Sequence, residues 1–100
     1  MEVIKTVSID VYDVDPKRYD DGVWQIIGFD RIGSLHRIQE PYSPVEVFES
    51  ICKAGLTELN ADDVRIEMQG YDVDMCAQYE VFDKHTGHPV LFFAEVSEVV

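Results

Sequence analysis

Residues 43–55 carry the clearest helical signal in this sequence, and the segments around them decide the fold class. In this stretch, SPVEVFESICKAG, Ser43 can act as the N-cap, Pro44 suits the first helical position and Glu46 completes a capping box. Gly55 ends the helix after about three turns, because glycine favours the position that follows a helix. Apolar residues at helical spacing predict one buried stripe, formed by Val45, Phe48, Ile51 and Cys52.

Five other segments are predicted to be strands, most of them because apolar and polar residues alternate with a period of two. They are residues 3–11 and 23–32 before the helix, and 64–69, 71–81 and 89–99 after it. Residues 15–22 are predicted to be a loop, 33–43 to be irregular, and Gly28 to mark a bulge or a close packing approach. The order ββαβββ predicts one α+β domain over residues 1–100: an antiparallel sheet of four to five strands with one three-turn helix on one face.

Two of these strands carry more specific expectations. The last is apolar on both faces from Val90 to Ala94, which favours a place in the middle of the sheet. Gly70 breaks the alternation, and a new phase beginning at Tyr71 predicts that Tyr71, Val73 and Met75 point inward.

One short helix cannot cover a five-stranded sheet. The surplus apolar residues are Trp24, Phe82, Leu91 and Phe93. We expect loops, sheet curvature or a second copy of the chain to cover them, so a homodimer is one of three expected solutions.

The chain is strongly acidic: twenty Asp and Glu residues oppose eight Lys and Arg residues, which gives a net charge of −12. Such a surface repels nucleic-acid phosphates and anionic lipid head groups, so direct binding to nucleic acid or membrane is not expected. It attracts cations or a basic protein surface instead. Net charge also keeps a small β-rich protein in solution, so acidity alone identifies no partner.

The compartment is predicted from the cysteines and the N-terminal residues. Glu2, Lys5 and Asp10 interrupt the first apolar residues, so no secretory signal is expected. No apolar run reaches the ~18 residues that a spanning helix needs. We expect a cytoplasmic protein in which Cys52 and Cys76 are buried, reduced thiols.

The first functional hypothesis is a non-enzymatic interaction module whose acidic face binds a basic protein. Inhibitors, immunity proteins and DNA mimics are of this class, which presents carboxylates to a positively charged partner. The tetrapeptide YDVD occurs at 12–15 and again at 71–74, and each copy places two carboxylates near a strand end. The predicted partner-binding residues are Asp13, Asp15, Asp20, Asp21, Asp72 and Asp74. The hypothesis requires carboxylates that cluster on one face.

The alternative is a small ligand-binding or enzymatic domain with a pocket between helix and sheet or at a dimer interface. Aromatic walls with a few polar groups make such sites, and the predicted lining is Tyr19, Trp24, His36, Arg37 and Tyr42. The sequence contains no G-x-S-x-G, H-E-x-x-H or C-x-x-C motif and no glycine-rich phosphate loop. We therefore name no catalytic residue and no cofactor, and favour a protein that is not an enzyme.

A divalent-cation site is a further alternative. If the two YDVD copies adjoined, four carboxylates would share a patch that Ca²⁺ or Mg²⁺ could neutralise. The spacing is not that of an EF-hand, and we name no metal ligand. The first copy closes a predicted strand and the second opens one, so an internal duplication is not indicated.

Overall fold

The computed structural model describes residues 5–14, 19–20, 23–24 and 30–96. Within these residues it contains one α-helix, one five-stranded sheet, a two-stranded ribbon and a 3-10 turn. The strands are β1 (Thr6–Asp13), β2 (Tyr19–Asp20), β3 (Val23–Trp24), β4 (Asp30–Gln39), β5 (Val64–Tyr71), β6 (Ala77–Asp83) and β7 (Pro89–Val96). The helix α1 is Pro44–Lys53, and the 3-10 turn is Ala61–Asp63.

The five-stranded sheet has the order β4-β1-β7-β6-β5, and every neighbouring pair is antiparallel. Along the chain its strands and the helix follow one another as ββαβββ, which confirms the predicted α+β fold. The strand β7 lies in the middle, between β1 and β6, as its two apolar faces predicted.

The helix packs on one face of this sheet and creates the core. Its buried residues are Val47, Phe48 and Ile51. They pack against apolar residues of the strands, namely Ile9, Val11, Val64, Ala77, Tyr79, Val81, Leu91 and Phe93. Burying these side chains removes apolar surface from water, which is the main force that holds helix and sheet together.

The helical stripe differs by one position from the prediction. Val45 is 49% exposed, whereas Val47 is 2% exposed. The buried residues of the helix are Val47, Phe48 and Ile51, so Val47 rather than Val45 belongs to the buried stripe. Ser43 occupies the N-cap with extended backbone, but its side chain makes no capping hydrogen bond.

The second strand of the sheet begins later than predicted. Residues 33–43 were expected to be irregular, yet β4 spans Asp30–Gln39. Its pairing with β1 has two register shifts, and Arg37 has a φ of 60°. Bulges of this kind destroy the period of two, so the sequence has no clean alternation to reveal the strand.

Part of the region before β4 lies outside the description. The backbone of Tyr19–Asp20 pairs with that of Val23–Trp24, so the predicted loop 15–22 includes the start of a small ribbon. The predicted bulge at Gly28 lies outside the described residues.

The second face of the sheet carries half-buried polar and aromatic side chains. Ser34 Oγ donates to Asp10 Oδ1 at 2.6 Å, and the rings of Tyr12 and Phe92 lie 5.7 Å apart. Phe82 is on this face, packed under the guanidinium of Arg65. A homodimer that covers surplus apolar residues would therefore form through this face, and this homodimer remains a prediction.

Three other apolar residues were expected to exceed what the helix can cover. Leu91 and Phe93 are buried on the helix side of the sheet, and the side chain of Trp24 is not among those that the structure describes. Among the described residues, no helix is long and apolar enough to span a membrane.

Candidate functional site

The two YDVD copies lie at opposite ends of the sheet. Asp13 of β1 pairs with Leu91 of β7. Leu91 pairs in turn with Val81 of β6, and Val81 pairs with Ile66, near the start of β5. Asp72 instead follows the last residue of β5. Asp13 and Asp72 are thus separated both along the strands and across them, and the structure does not bring them together.

The remaining predicted carboxylates divide between described and undescribed parts of the chain. Asp74 lies with Asp72 between β5 and β6. Asp20 is in β2, but its side chain is not described. Asp15 and Asp21 lie outside the described residues. The described residues contain no group of three His, Cys, Asp or Glu side chains that could hold a metal ion. The four-carboxylate cation site is therefore not formed by Asp13, Asp72 and Asp74.

The residues predicted to line a pocket are also separated. Tyr42 lies between β4 and α1 and lines a cleft. His36 and Arg37 are exposed on the edge strand β4, where His36 Nδ1 is 3.2 Å from Ser8 Oγ. The side chains of Tyr19 and Trp24 are outside the description.

A fixed loop joins β5 to β6. Asp72 Oδ1 accepts the backbone N–H of Asp74 at 2.8 Å and that of Cys76 at 2.9 Å. Backbone bonds close the same loop, from Asp72 N–H to Cys76 O and from Met75 N–H to Asp72 O, both at 3.0 Å. The predicted strand from Tyr71 therefore starts only at Ala77, because the Asp72 side chain gives these N–H groups a local partner in place of a strand.

The last residue of β5 and the loop after it turn apolar side chains toward solvent. Tyr71 is 61% exposed, Val73 98% and Met75 72%, so the prediction that they point inward is wrong. These three residues are called the apolar tip below, and the end of the sheet that carries them is called the hairpin end. Asp72 and Asp74 lie between the members of the tip, so carboxylates border the exposed apolar groups.

Beside the apolar tip lies an open cleft of about 490 Å³. Its wall contains three tyrosines and two glutamates: Glu40, Tyr42, Tyr71, Tyr79 and Glu95. This set is called the acidic cleft below. The segment that joins β4 to α1 contributes Glu40 and Tyr42 to the wall of the cleft.

Glu95 is held in a fixed position in the acidic cleft. The hydroxyl of Tyr42 donates to the Glu95 carboxylate, and the backbone N–H of Ala77 donates to Glu95 Oε2 at 3.3 Å. The hydroxyl of Tyr79 donates to the Tyr42 oxygen at 3.3 Å, and the Tyr79 ring stacks on Phe93 with centroids 4.9 Å apart. Burial, and then the bond to Glu95, raise the pKa of Tyr42 far above its ordinary value, so Tyr42 remains a donor.

Glu40 carries the second carboxylate of the cleft. Its side chain is 26% exposed, and Lys5 Nζ approaches Glu40 Oε2 at 3.9 Å from a side chain that is 80% exposed. An ion pair that is this long and exposed contributes little. The described part of the cleft wall therefore has two carboxylates and one weakly engaged ammonium group.

No sequence pattern pointed directly to Glu40, Tyr79 or Glu95, but one pattern could have found Glu95. Leu91, Phe93 and Glu95 are two residues apart and point to the same side of β7. A carboxylate that continues an inward-facing apolar row needs partners, which here are Tyr42 and the Ala77 N–H.

The two thiols do not have the environment of catalytic nucleophiles. Cys52 Sγ donates to the Leu59 carbonyl at 3.2 Å, and burial raises the pKa of Cys52. Burial, followed by the carboxylates of Asp72, Glu95 and Asp74, raises the pKa of Cys76. Both thiols stay protonated at neutral pH, which lowers their reactivity.

The opposite end of the sheet is also acidic, but its groups close a turn. Asp83 Oδ1 accepts the backbone N–H of His85 at 2.7 Å, and His85 Nε2 lies 3.3 Å from Asp63 Oδ1. Lys84 donates its backbone N–H to Asp63 O and its ammonium to Asp62 O. The acidic groups at this end thus take part in closing the turn, and the ammonium group of Lys84 lies beside them.

Comparison with protein-family models, with curated proteins and with solved structures found no match to this chain.

Proposed function

We propose that this protein is a non-enzymatic binding module that engages a basic protein partner with the hairpin end of its sheet. The observation that carries the proposal is Val73, which is 98% exposed in a loop held by the Asp72 side chain. An aliphatic side chain held out by a fixed loop suits insertion into a partner pocket, because little conformational freedom is lost on binding.

The charge around the apolar tip supports a basic partner. Among the described residues, this end carries the carboxylates of Glu40, Asp72, Asp74 and Glu95, and Lys5 is the basic residue that lines the cleft. A positively charged surface is drawn to such a site, and like-charged proteins are rejected.

The apolar tip favours one type within this class. A DNA mimic needs a continuous array of carboxylates in place of phosphates, whereas Tyr71, Val73 and Met75 alternate with the acids here. An apolar centre with an acidic border is the composition of an inhibitor-like or immunity-like contact, in which a few central side chains carry most of the binding energy.

A capture experiment tests the proposal. Wild-type protein, V73T and I32T are immobilised and exposed to a lysate of the source cells at low salt, and bound proteins are eluted at high salt. The I32T control makes a similar aliphatic-to-threonine change at a residue that is 37% exposed on β4, at the other end of the sheet. Circular dichroism verifies that both variants are folded.

We expect a basic protein that wild type and I32T retain equally, that V73T retains about tenfold more weakly, and that high salt releases. Equal retention by V73T and wild type would contradict the proposal. So would self-association of wild type that V73T abolishes in sedimentation, because a second copy would then occupy the tip.

A further inference from the structure

We infer that the acidic cleft receives an arginine side chain of the partner. This inference rests on the proposed function, since it names the group that the partner places beside the apolar tip. Three features of the cleft support it: its charge, the fixed position of one carboxylate, and its tyrosine rings.

The described residues balance the charge of the cleft only in part. Lys5 is the basic residue of its wall, and it meets Glu40 only at 3.9 Å from an 80% exposed position. Glu40 itself is 26% exposed, so its carboxylate has lost part of its water without gaining a close partner. A second cation would restore the balance, and Lys5 acts as a weak tethered competitor for it.

The carboxylate of Glu95 is already positioned for a cation. Tyr42 and the Ala77 N–H each donate to one of its oxygens. An ionised carboxylate can accept about four hydrogen bonds, so acceptor capacity remains on both oxygens. Because the side chain is held by the protein, a ligand does not have to order it.

The tyrosines distinguish a guanidinium from a simple ammonium. A guanidinium is planar and weakly hydrated, and it stacks on aromatic rings while it bonds a carboxylate. The sheet contains one such arrangement already: Arg65 Cζ lies 4.7 Å from the Phe82 ring centroid, and its guanidinium contacts Glu67. The wall of the cleft also contains both kinds of group, an aromatic ring in Tyr71 and a carboxylate in Glu40, and no arginine is among the described residues that line it.

The cleft also has room for such a group. Its volume of about 490 Å³ lies within the ~300–1,000 Å³ of typical ligand sites. Because Tyr71 belongs to both the cleft and the apolar tip, a partner that binds the tip can place a neighbouring side chain in the cleft.

An NMR titration tests this inference with purified protein. Isotope-labelled protein is titrated with N-acetyl-argininamide, with its neutral isostere N-acetyl-citrullinamide, and with N-acetyl-lysinamide, all at constant ionic strength. We expect saturable shifts of the backbone amides of Tyr71, Ala77 and Glu95 with the arginine compound. The citrulline compound should bind at least about tenfold more weakly and the lysine compound about threefold more weakly.

Two variants refine the test. E40Q should weaken arginine binding about fivefold, and K5Q should tighten it about twofold to threefold because the tethered competitor is gone. Unfolding cannot produce the gain expected of K5Q. Citrulline binding equal to arginine binding, lysine binding as tight as arginine binding, or weaker binding by K5Q would each overturn the inference.

The two proposals can fail separately. If V73T loses the partner while arginine does not bind the cleft, the inference is overturned and the proposed function stands. If arginine binds the cleft while V73T retains the partner as wild type does, the proposed function is contradicted and the cation site is supported.

Discussion

Replacing Asp72 with alanine removes the acceptor that fixes the loop between β5 and β6. Asp72 Oδ1 accepts the N–H groups of Asp74 and Cys76, at 2.8 and 2.9 Å. The N–H of exposed Asp74 can bond to water instead, whereas Cys76 is 6% exposed, so its N–H would lose a partner that water replaces poorly. We expect D72A to lower the free energy of unfolding by ~1–2 kcal/mol, most of it from the Cys76 bond.

Urea denaturation at neutral pH measures this loss, with two controls. D72N keeps an oxygen acceptor, so its free energy of unfolding should fall by less than about half the loss expected of D72A. D74A removes an equal charge but leaves the two hydrogen bonds to Asp72 in place. If D72A falls within ~0.5 kcal/mol of wild type, the range of ordinary surface substitutions, the loop is not held as described. A loss in D72N equal to that in D72A would show that charge rather than hydrogen bonding is responsible.

Two further predictions concern the sheet itself. Glu80 lies opposite Glu67, and burial, followed by the Glu67 charge, raises the pKa of Glu80 above its ordinary 4.5. The folded state then binds this proton more tightly than the unfolded state, so stability falls as pH rises from 4.5 through the raised pKa. E80Q should therefore melt at a higher temperature than wild type at neutral pH, and the two melting temperatures should converge below about pH 4. A difference in melting temperature that is the same below about pH 4 as at neutral pH would refute this reasoning. An added Cβ at Gly33 would lie 2.7 and 2.8 Å from the two Leu56 Cδ atoms, so G33A should cost ~1 kcal/mol in urea denaturation. The stability lost through G33A should be smaller in an L56A background. An equal loss in both backgrounds would show that the added methyl group does not meet Leu56.

Much of the fold could be predicted because its patterns are local. The stretch from Val90 to Ala94 is apolar on both sides, which suits only a strand with neighbours and cover, and β7 is indeed central. The helix has a favourable start at Pro44 and an end near Gly55, and it spans Pro44–Lys53.

The elements that the sequence did not reveal depend on tertiary pairing or on one side chain. The strand β4 pairs with β1 through register shifts, so its residues never show a period of two. In the second YDVD copy, alternation alone favours a strand through Tyr71, Val73 and Met75. The two bonds to Asp72 Oδ1 outweigh it and close a loop.

The candidate site was predictable only in part. Tyr42 was placed in a pocket from its aromatic and polar character, and it lines the acidic cleft. Its partners Tyr79 and Glu95 come from β6 and β7, 37 and 53 residues away in sequence. Such contacts are set by strand order, which the sequence patterns do not contain.

The dissociation constants of the captured partner for D74N and for D62N show which end of the sheet binds it. Both carboxylates are exposed, but Asp74 lies at the hairpin end and Asp62 at the opposite acidic end. We expect D74N to bind about threefold to tenfold more weakly than wild type, with a reduced dependence on salt, and D62N to stay within about twofold of wild type. A loss of binding by D62N with none by D74N would place the partner on the other end of the sheet and contradict the account.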